Sequence, residues 1–254
     1  MNNQPIGIYD SGFGGLTLWC AVRDRLPSES LVYLGDGKNC PYGSRSNSQI
    51  RELADQAVSK LIDMGCKLIV VACNTATAAA IDHLRTTYPD INIVGMEPAI
   101  KPACLSTKSG VVGVIATERS LEGDLFHRTA AKYAQNIRVI PLFGRGFVEI
   151  VESNMEDTPY AEIVLSEVVK PMVKEGVDQI VLGCSHYPFL IPTLRRIAPS
   201  ITFIDPSPAV AKRVDQLLVK DNLKAGEDHV ADYLFTTFAD DDYLQRLIAK
   251  SKTI

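Results

Sequence analysis

The chain of 254 residues is 46% hydrophobic and 22% charged with a net charge of −4, which supplies apolar material for one large or two modest cores. That acidic balance argues against nucleic acid as the main partner, since phosphate binding asks for a clustered basic surface. No apolar run approaches the ~18 residues of a membrane span, and Met1-Asn2-Asn3-Gln4-Pro5 leads into a strand without a signal peptide, so a cytoplasmic location is expected.

Strand-like runs at 5–9, 31–35, 68–72 and 91–95 alternate with helical patterns at 15–25, 47–64 and 76–86. That alternation specifies a parallel sheet with right-handed crossovers. The second half repeats it, with strands at 111–116, 137–142, 179–183 and 201–204 and helices at 120–133, 159–175 and 189–197. Pro98 and Pro102 mark the passage between halves, and Asp205-Pro206-Ser207-Pro208 marks the way out. After it come a helical stretch from Ala209 to Leu218, a polar turn at Ala225-Gly226-Glu227-Asp228, a strand at 233–236 and a last helix. This tail is expected to return to the first half. The predicted fold is α/β, with two pseudo-symmetric domains of mostly parallel sheet, 1–97 plus 208–254 and 98–207, and a site in the cleft between them.

The repeat is visible residue by residue. Ile69-Val70-Val71-Ala72-Cys73-Asn74-Thr75 and Ile180-Val181-Leu182-Gly183-Cys184-Ser185-His186 are both β-branched apolar runs that end in Cys and a polar residue. Each reads as a buried parallel strand handing a thiol to a loop, which is where α/β proteins keep ligand sites. Ile91-Asn92-Ile93-Val94-Gly95-Met96-Glu97-Pro98-Ala99 likewise parallels Ile201-Thr202-Phe203-Ile204-Asp205-Pro206-Ser207-Pro208-Ala209.

Chemistry gathers at the strand ends. Asp10-Ser11-Gly12-Phe13-Gly14-Gly15 sets a carboxylate and a hydroxyl before a glycine turn into a helix, without the GK[ST] of a Walker motif or a third GxGxxG glycine. Cys73 precedes an Ala-rich helix whose N-terminal amides favour thiolate and lower a thiol pKa; the competing reading is a buried Cys acting as a small hydrophobe. His186 lies two residues from Cys184, which makes it a better candidate than His83, His127 or His229. The six cysteines show no CxxC pair, and no His-x3-5-His occurs, so neither a zinc site nor a dithiol redox site is expected. Two thiols approaching one substrate carbon from opposite sides could remove and return a proton. Asn74, Thr75, Ser185, Thr117 and the Gly14-Gly15 amides could stabilise the charge that develops.

Asp10-Ser11-Gly12 with Gly14-Gly15, Pro41-Tyr42-Gly43, Cys73-Asn74-Thr75-Ala76, Pro98-Ala99-Ile100-Lys101-Pro102 and Gly183-Cys184-Ser185-His186-Tyr187-Pro188 resemble glutamate racemases of the cofactor-independent aspartate/glutamate racemase family. The resemblance runs from position 6 to about 215. It implies interconversion of L- and D-glutamate without pyridoxal phosphate or metal, supplying D-glutamate for peptidoglycan, by a protein expected to be a homodimer. Cys73 would exchange the α-proton of D-glutamate with help from Asp10, and Cys184 that of L-glutamate with help from His186. Glu152 matches a further acidic position. Asp10, Ser11, Tyr42, Gly43, Asn74, Thr75, Thr117, Ser185 and His186 would hold substrate. An aspartate racemase or a related member of the same superfamily, and a catalytically silent glutamate-binding protein, are the alternatives. Four departures from the usual pattern stand out: Ser185 for Thr, Gly37 for Thr or Ala, Glu97 for an apolar residue, and Gly144-Arg145 for Cys-Pro.

Overall fold

The structure, a computed structural model, describes residues 1–254 and divides into two compact units, Met1–Met96 with Ser207–Ile254, and Glu97–Pro206. Each seam falls one residue before the expected boundary. Ser207 goes with the first unit because it opens a helix there, with its Oγ 3.3 Å from Thr17 Oγ1.

The first unit begins β1 (Ile6–Asp10), α1 (Leu16–Arg25), β2 (Leu31–Gly35), α2 (Asn47–Asp63), β3 (Leu68–Val71), α3 (Asn74–Thr87) and β4 (Asn92–Gly95). Every residue of β1, β2 and β3 is buried. Their unbroken apolar runs mark strands covered on both faces. α2 starts with a reciprocal capping box between Ser46 and Gln49, and the chain then reverses at Gly65, whose φ of +78° suits glycine.

The second unit runs α4 (Ile100–Ser106), β5 (Val111–Ala116), α5 (Glu118–Glu122), α6 (Asp124–Tyr133), β6 (Arg138–Phe143), α7 (Phe147–Glu152), α8 (Pro159–Lys174), β7 (Gln179–Gly183), a 3-10 turn at Tyr187–Leu190, α9 (Ile191–Ile197) and β8 (Thr202–Ile204). The expected helix at 120–133 is two helices broken at Gly123, and the one at 189–197 opens as the 3-10 turn. α4 and α7 were not anticipated. The sheet order is β6-β5-β7-β8, all parallel. Pro141 is tolerated because β6 lies at the edge.

The chain then returns to the first unit through α10 (Ser207–Lys220), β9 (Tyr233–Thr237) and α11 (Asp241–Ser251). β9 joins β2 in parallel and completes the order β4-β3-β1-β2-β9. Trp19 of α1 packs edge-on against Tyr233 at 5.3 Å and tilted against Phe235 at 5.2 Å.

Each strand order contains a topological switch point. Successive connections leave β1 in opposite directions, so the strand order reverses between β1 and β3, and likewise between β5 and β7. Ligands of open α/β sheets bind beyond the carboxyl ends of strands at such switch points. Asp10 and Cys73 flank the first, Thr117 and Cys184 the second.

One turn of the second unit is held by a carboxylate. Asp178 accepts from Thr107 Oγ1 and Lys108 N at 2.6 Å and from Ser109 N at 3.0 Å. Burial works to raise its pKa, but these hydrogen bonds outweigh it and hold the carboxyl below its usual value. A depressed folded-state pKa adds stability that is fully present above the unfolded value of about 3.9 and is lost as pH falls through the folded one. Asp178→Ala is expected to cost about 1–2 kcal/mol at neutral pH by thermal denaturation, and less at pH 3. An equal loss at both would show that the carboxylate's charge is not what matters.

Candidate active site

In the first unit the pairing of β1 with β3 sets Tyr9 opposite Val71. The two-residue alternation carries that face on to Ser11 and Cys73. Cys73 Sγ accordingly lies 3.5 Å from Ser11 Oγ, both side chains buried. Cys73 is extended and caps α3, its sulfur accepting from Ala76 N–H at 3.4 Å. A helix N-terminus that donates to sulfur favours the thiolate. Asp10 is fully buried, and its Oδ1 accepts from Gly12 N–H at 2.9 Å, which folds the turn after β1. At Gly15 a Cβ would meet Asp10 Cβ at 2.7 Å and Ala72 Cβ at 2.9 Å, so glycine lets α1 start hard against both strand ends. Asn74 donates to Met96 O at 3.3 Å, while its buried Oδ1 has no protein partner. Thr75 is buried beside it in the first turn of α3.

Tyr42 and Gly43 lie in the loop after β2, which enters through a cis Cys40-Pro41 bond. The Tyr42 hydroxyl is committed inside the protein. It accepts from Tyr9 OH at 2.7 Å and donates to Asp36 Oδ2 at 2.6 Å. Burial pushes the Tyr9 phenol well above its usual pKa; Cys73 adds to this, the Tyr42 hydrogen bond opposes it, and Asp36 and Asp10 add further. Tyr42 is raised as well, by burial first and then by Tyr9 and Asp36. Both rings therefore stay neutral hydroxyl donors. Gly43 is half-buried.

In the second unit, the register that pairs Ala116 with Gly183 brings Thr117 beside Cys184 one step later. Thr117 caps α5, its hydroxyl accepting from Ser120 N–H at 3.3 Å and lying 2.8 Å from Ser120 Oγ. Past Gly183 the chain turns through Cys184, Ser185 and His186, all buried. His186 Nδ1 lies 3.8 Å from Cys184 Sγ and 3.4 Å from Ser185 Oγ, and Nε2 lies 2.6 Å from Glu152 Oε1. With Nε2–H donating to the carboxylate, Nδ1 of a neutral ring presents its lone pair towards the thiol. Thiol, imidazole and carboxylate form one proton line, with α7 supplying its far end. Tyr187 behind it is raised well above its usual pKa by burial, then by Cys184 and Glu149, and its hydroxyl donates to Gly144 O at 3.2 Å.

Two of the departures have local causes. A Cβ at Gly37 would come 2.2 Å from the ring of Tyr243 on α11, which stacks on Phe13 at 4.8 Å. A Cβ at Gly144 would come 2.4 Å from the Tyr187 hydroxyl. Gly37→Ala is expected to destabilise by about 1–3 kcal/mol through overpacking. In a double-mutant cycle with Tyr243→Ala that cost should largely vanish; two additive losses would mean the ring is not the obstacle. Ser185 keeps a hydroxyl 3.4 Å from His186 Nδ1, and Glu97 and Arg145 are exposed.

The structure thus joins Cys73 with Ser11 beside Asp10, and Cys184 with Ser185, His186 and Glu152. Sequence reasoning passed over Tyr9 and Asp36. Asp36 carried a readable signal, since it follows β2 as Asp10 ends β1; Tyr9, inside an apolar strand, carried none.

A family model described as Asp/Glu/Hydantoin racemase matches residues 20–214. The glutamate racemase of Roseiflexus sp. (strain RS-1) is 49% identical over 216 residues, 85% of this chain and 79% of that relative. Among solved structures, glutamate racemase from Francisella tularensis subsp. tularensis SCHU S4 in complex with D-glutamate gives a TM-score of 0.88 at 28% identity, covering 100% of this chain and 95% of the other. Escherichia coli glutamate racemase in complex with L-glutamate and the activator UDP-MurNAc-ala gives 0.87 at 29% identity, covering 98% and 95%. With the family model spanning most of its length and a relative sharing nearly half its residues, the chain belongs to the Asp/Glu/hydantoin racemase family.

Proposed function

We propose that this chain interconverts L- and D-glutamate by a two-base mechanism in which Cys73 and Cys184 exchange the α-proton, without pyridoxal phosphate or metal. The observation that carries this reading is the pair of buried strand-end thiols, each with its own local proton and charge partners. Inversion requires a proton to leave one face of the α-carbon and another to arrive on the opposite face. One thiolate and one thiol meet that need, and they exchange protonation state at each turnover.

In the direction from L- to D-glutamate, Cys184 acts as the base. Its proton partner is His186 Nδ1, held in one tautomer by Glu152. Cys73 delivers the new proton and is left as a thiolate favoured by the Ala76 amide, with Ser11 at hydrogen-bond distance and Asp10 assisting. The reverse direction exchanges these roles. The α-proton of an amino acid is a very weak acid, so developing charge must be met by preorganised donors with water excluded. The hydroxyls of Ser11, Thr75, Thr117 and Ser185 and the amides around Gly43 and Asn74 are the candidates. Asn74 Oδ1, buried and unpartnered, suits the substrate ammonium.

D-glutamate made in this way would feed peptidoglycan synthesis in the cytoplasm, and a homodimer is the expected assembly. No helix is long and apolar enough to cross a membrane. Substrate identity is tested by incubating purified protein with L-glutamate or L-aspartate and resolving enantiomers chromatographically. The two differ by one methylene, worth about 1–3 kcal/mol of discrimination in a pocket. Glutamate should approach a racemic mixture roughly 10–200-fold faster. Faster aspartate turnover would assign the protein to aspartate, and none with either would leave a binding protein.

A further inference from the structure

We infer that Asp36, which no sequence motif singled out, is a positioning residue for the first thiol: its carboxylate fixes the direction of a buried hydroxyl chain through Tyr42 to Tyr9 and keeps the Tyr9 proton pointed away from Cys73. The inference rests on the racemase reading only in giving Cys73 a catalytic task; the geometry stands without it.

Asp36 and Tyr9 are fully buried and Tyr42 nearly so. Asp36 receives its hydrogen bonds from neutral donors, Asn39 Nδ2 to both carboxylate oxygens at 3.1 Å and Tyr42 OH to Oδ2 at 2.6 Å, and it makes no ion pair. Its own N–H donates to Asp10 O at 2.9 Å, so the carboxylate is anchored to the end of β1. A carboxylate can only accept. Tyr42 must therefore donate to it, which leaves the Tyr42 oxygen to accept from Tyr9 and leaves Tyr9 with nothing but lone pairs for its remaining neighbours. One of those neighbours is Cys73, which lies two positions beyond Val71, the β3 partner of Tyr9, and so on the same face and in the same buried cluster. An acceptor oxygen backed by a buried anion favours the protonated thiol and opposes the thiolate.

The surroundings of Cys73 thus divide into two sets. On one side stand the carboxyl groups of Asp10 and Asp36 and the neutral phenols of Tyr9 and Tyr42, and on the other the Ala76 amide at the start of α3, which favours the thiolate. The side chains of α2 and β4 in that cluster, among them Ile50, Ala54, Ala57 and Ile93, are apolar. The helix amide and the hydroxyl chain pull in opposite directions. That balance suits a residue that must serve as acid in one direction and as base in the other.

The same carboxylate braces the loop that carries Gly43. Asn39 is tied to it, and Arg45 Nε in turn donates to Asn39 O at 2.9 Å. A purely structural role would end there. A carboxylate that also sets the direction of the hydroxyl chain changes the titration of Cys73 when it is replaced.

In Asp36→Asn the new amide can donate to Tyr42, so the chain can reverse and the Tyr9 proton can turn towards Cys73. In Tyr42→Phe the charge remains but the chain is cut, and Tyr9 is again released towards Cys73. Both changes favour the thiolate. The test is the pH dependence of iodoacetamide alkylation of the substrate-free protein, read separately for the Cys73 and Cys184 peptides by mass spectrometry. The Cys73 midpoint should fall by about one unit in Asp36→Asn and fall in Tyr42→Phe also. Cys184 should not move. An unmoved or raised Cys73 midpoint in a folded Tyr42→Phe protein, or an equal shift at Cys184, overturns the proposal and leaves Asp36 as a loop brace. Because alkylation needs no turnover, this outcome is independent of whether the protein racemises glutamate.

Discussion

Cys73→Ser and Cys184→Ser are each expected to lower racemisation in both directions by on the order of 10²–10⁴-fold, the range a positioned acid or base contributes. A hydroxyl is smaller than a thiol but can take the same hydrogen-bond roles at these buried sites, so both variants should fold, with at most a modest loss of thermal stability. The loss comes from acidity. Serine is far less acidic than cysteine and cannot shuttle between anion and neutral form near neutral pH. What remains should be one-sided. The variant that keeps Cys184 should still exchange the α-proton of L-glutamate with solvent without inverting it, and the variant that keeps Cys73 should do so with D-glutamate. Proton NMR in deuterated water with each pure enantiomer reads this directly. In the unsubstituted protein the requirement for one thiolate and one thiol makes kcat/KM bell-shaped in pH, with limbs that belong to the coupled pair rather than to either residue. If each single variant kept wild-type turnover, the two-thiol reading would be lost.

Glu152→Gln is expected to cost about 10–10²-fold in turnover. The 2.6 Å contact with His186 Nε2 is a charge-assisted hydrogen bond. Replacing the carboxylate by an amide keeps an acceptor but removes about 1.5–3 kcal/mol of charge stabilisation from a protonated ring. The imidazole then becomes a weaker acceptor for the Cys184 proton. His186 is almost fully buried while Glu152 is partly exposed, so the variant should remain folded. Its signature is asymmetry between the thiols. Exchange of the L-glutamate α-proton should fall more than exchange of D-glutamate, since only Cys184 is served by this imidazole. Equal loss on both sides would indicate that Glu152 acts on substrate binding instead.

The sheets were legible because β1, β2, β3 and β7 are uninterrupted apolar runs and their helices are long enough to show a period. α4 and α7, of seven and six residues, were not. A helix of under two turns shows too few repeats to distinguish it from a loop. That gap bears on the site, because α7 presents Glu152 to a histidine that lies far along the chain. Resemblance named Glu152; the residues by themselves did not. The Asp10, Cys73 and Cys184 positions could be read as strand ends, since polar residues after a buried parallel strand have little else to do. Tyr9 and Tyr42 could not. Their pairing joins β1 to the loop after β2, a long-range contact that neither segment signals by itself, with the Tyr42 hydroxyl bonded to Tyr9 and Asp36.

The isotopic composition of newly formed D-glutamate, made from protonated L-glutamate in deuterated water and analysed early in the reaction, bears most directly on the two-thiol mechanism. If one cysteine takes the proton and the other supplies a different one, the product carries deuterium at the α-carbon while the remaining L-glutamate is still protonated. Product that keeps the original proton would mean that a single group serves both faces, and Cys73 and Cys184 would not be the paired acid and base.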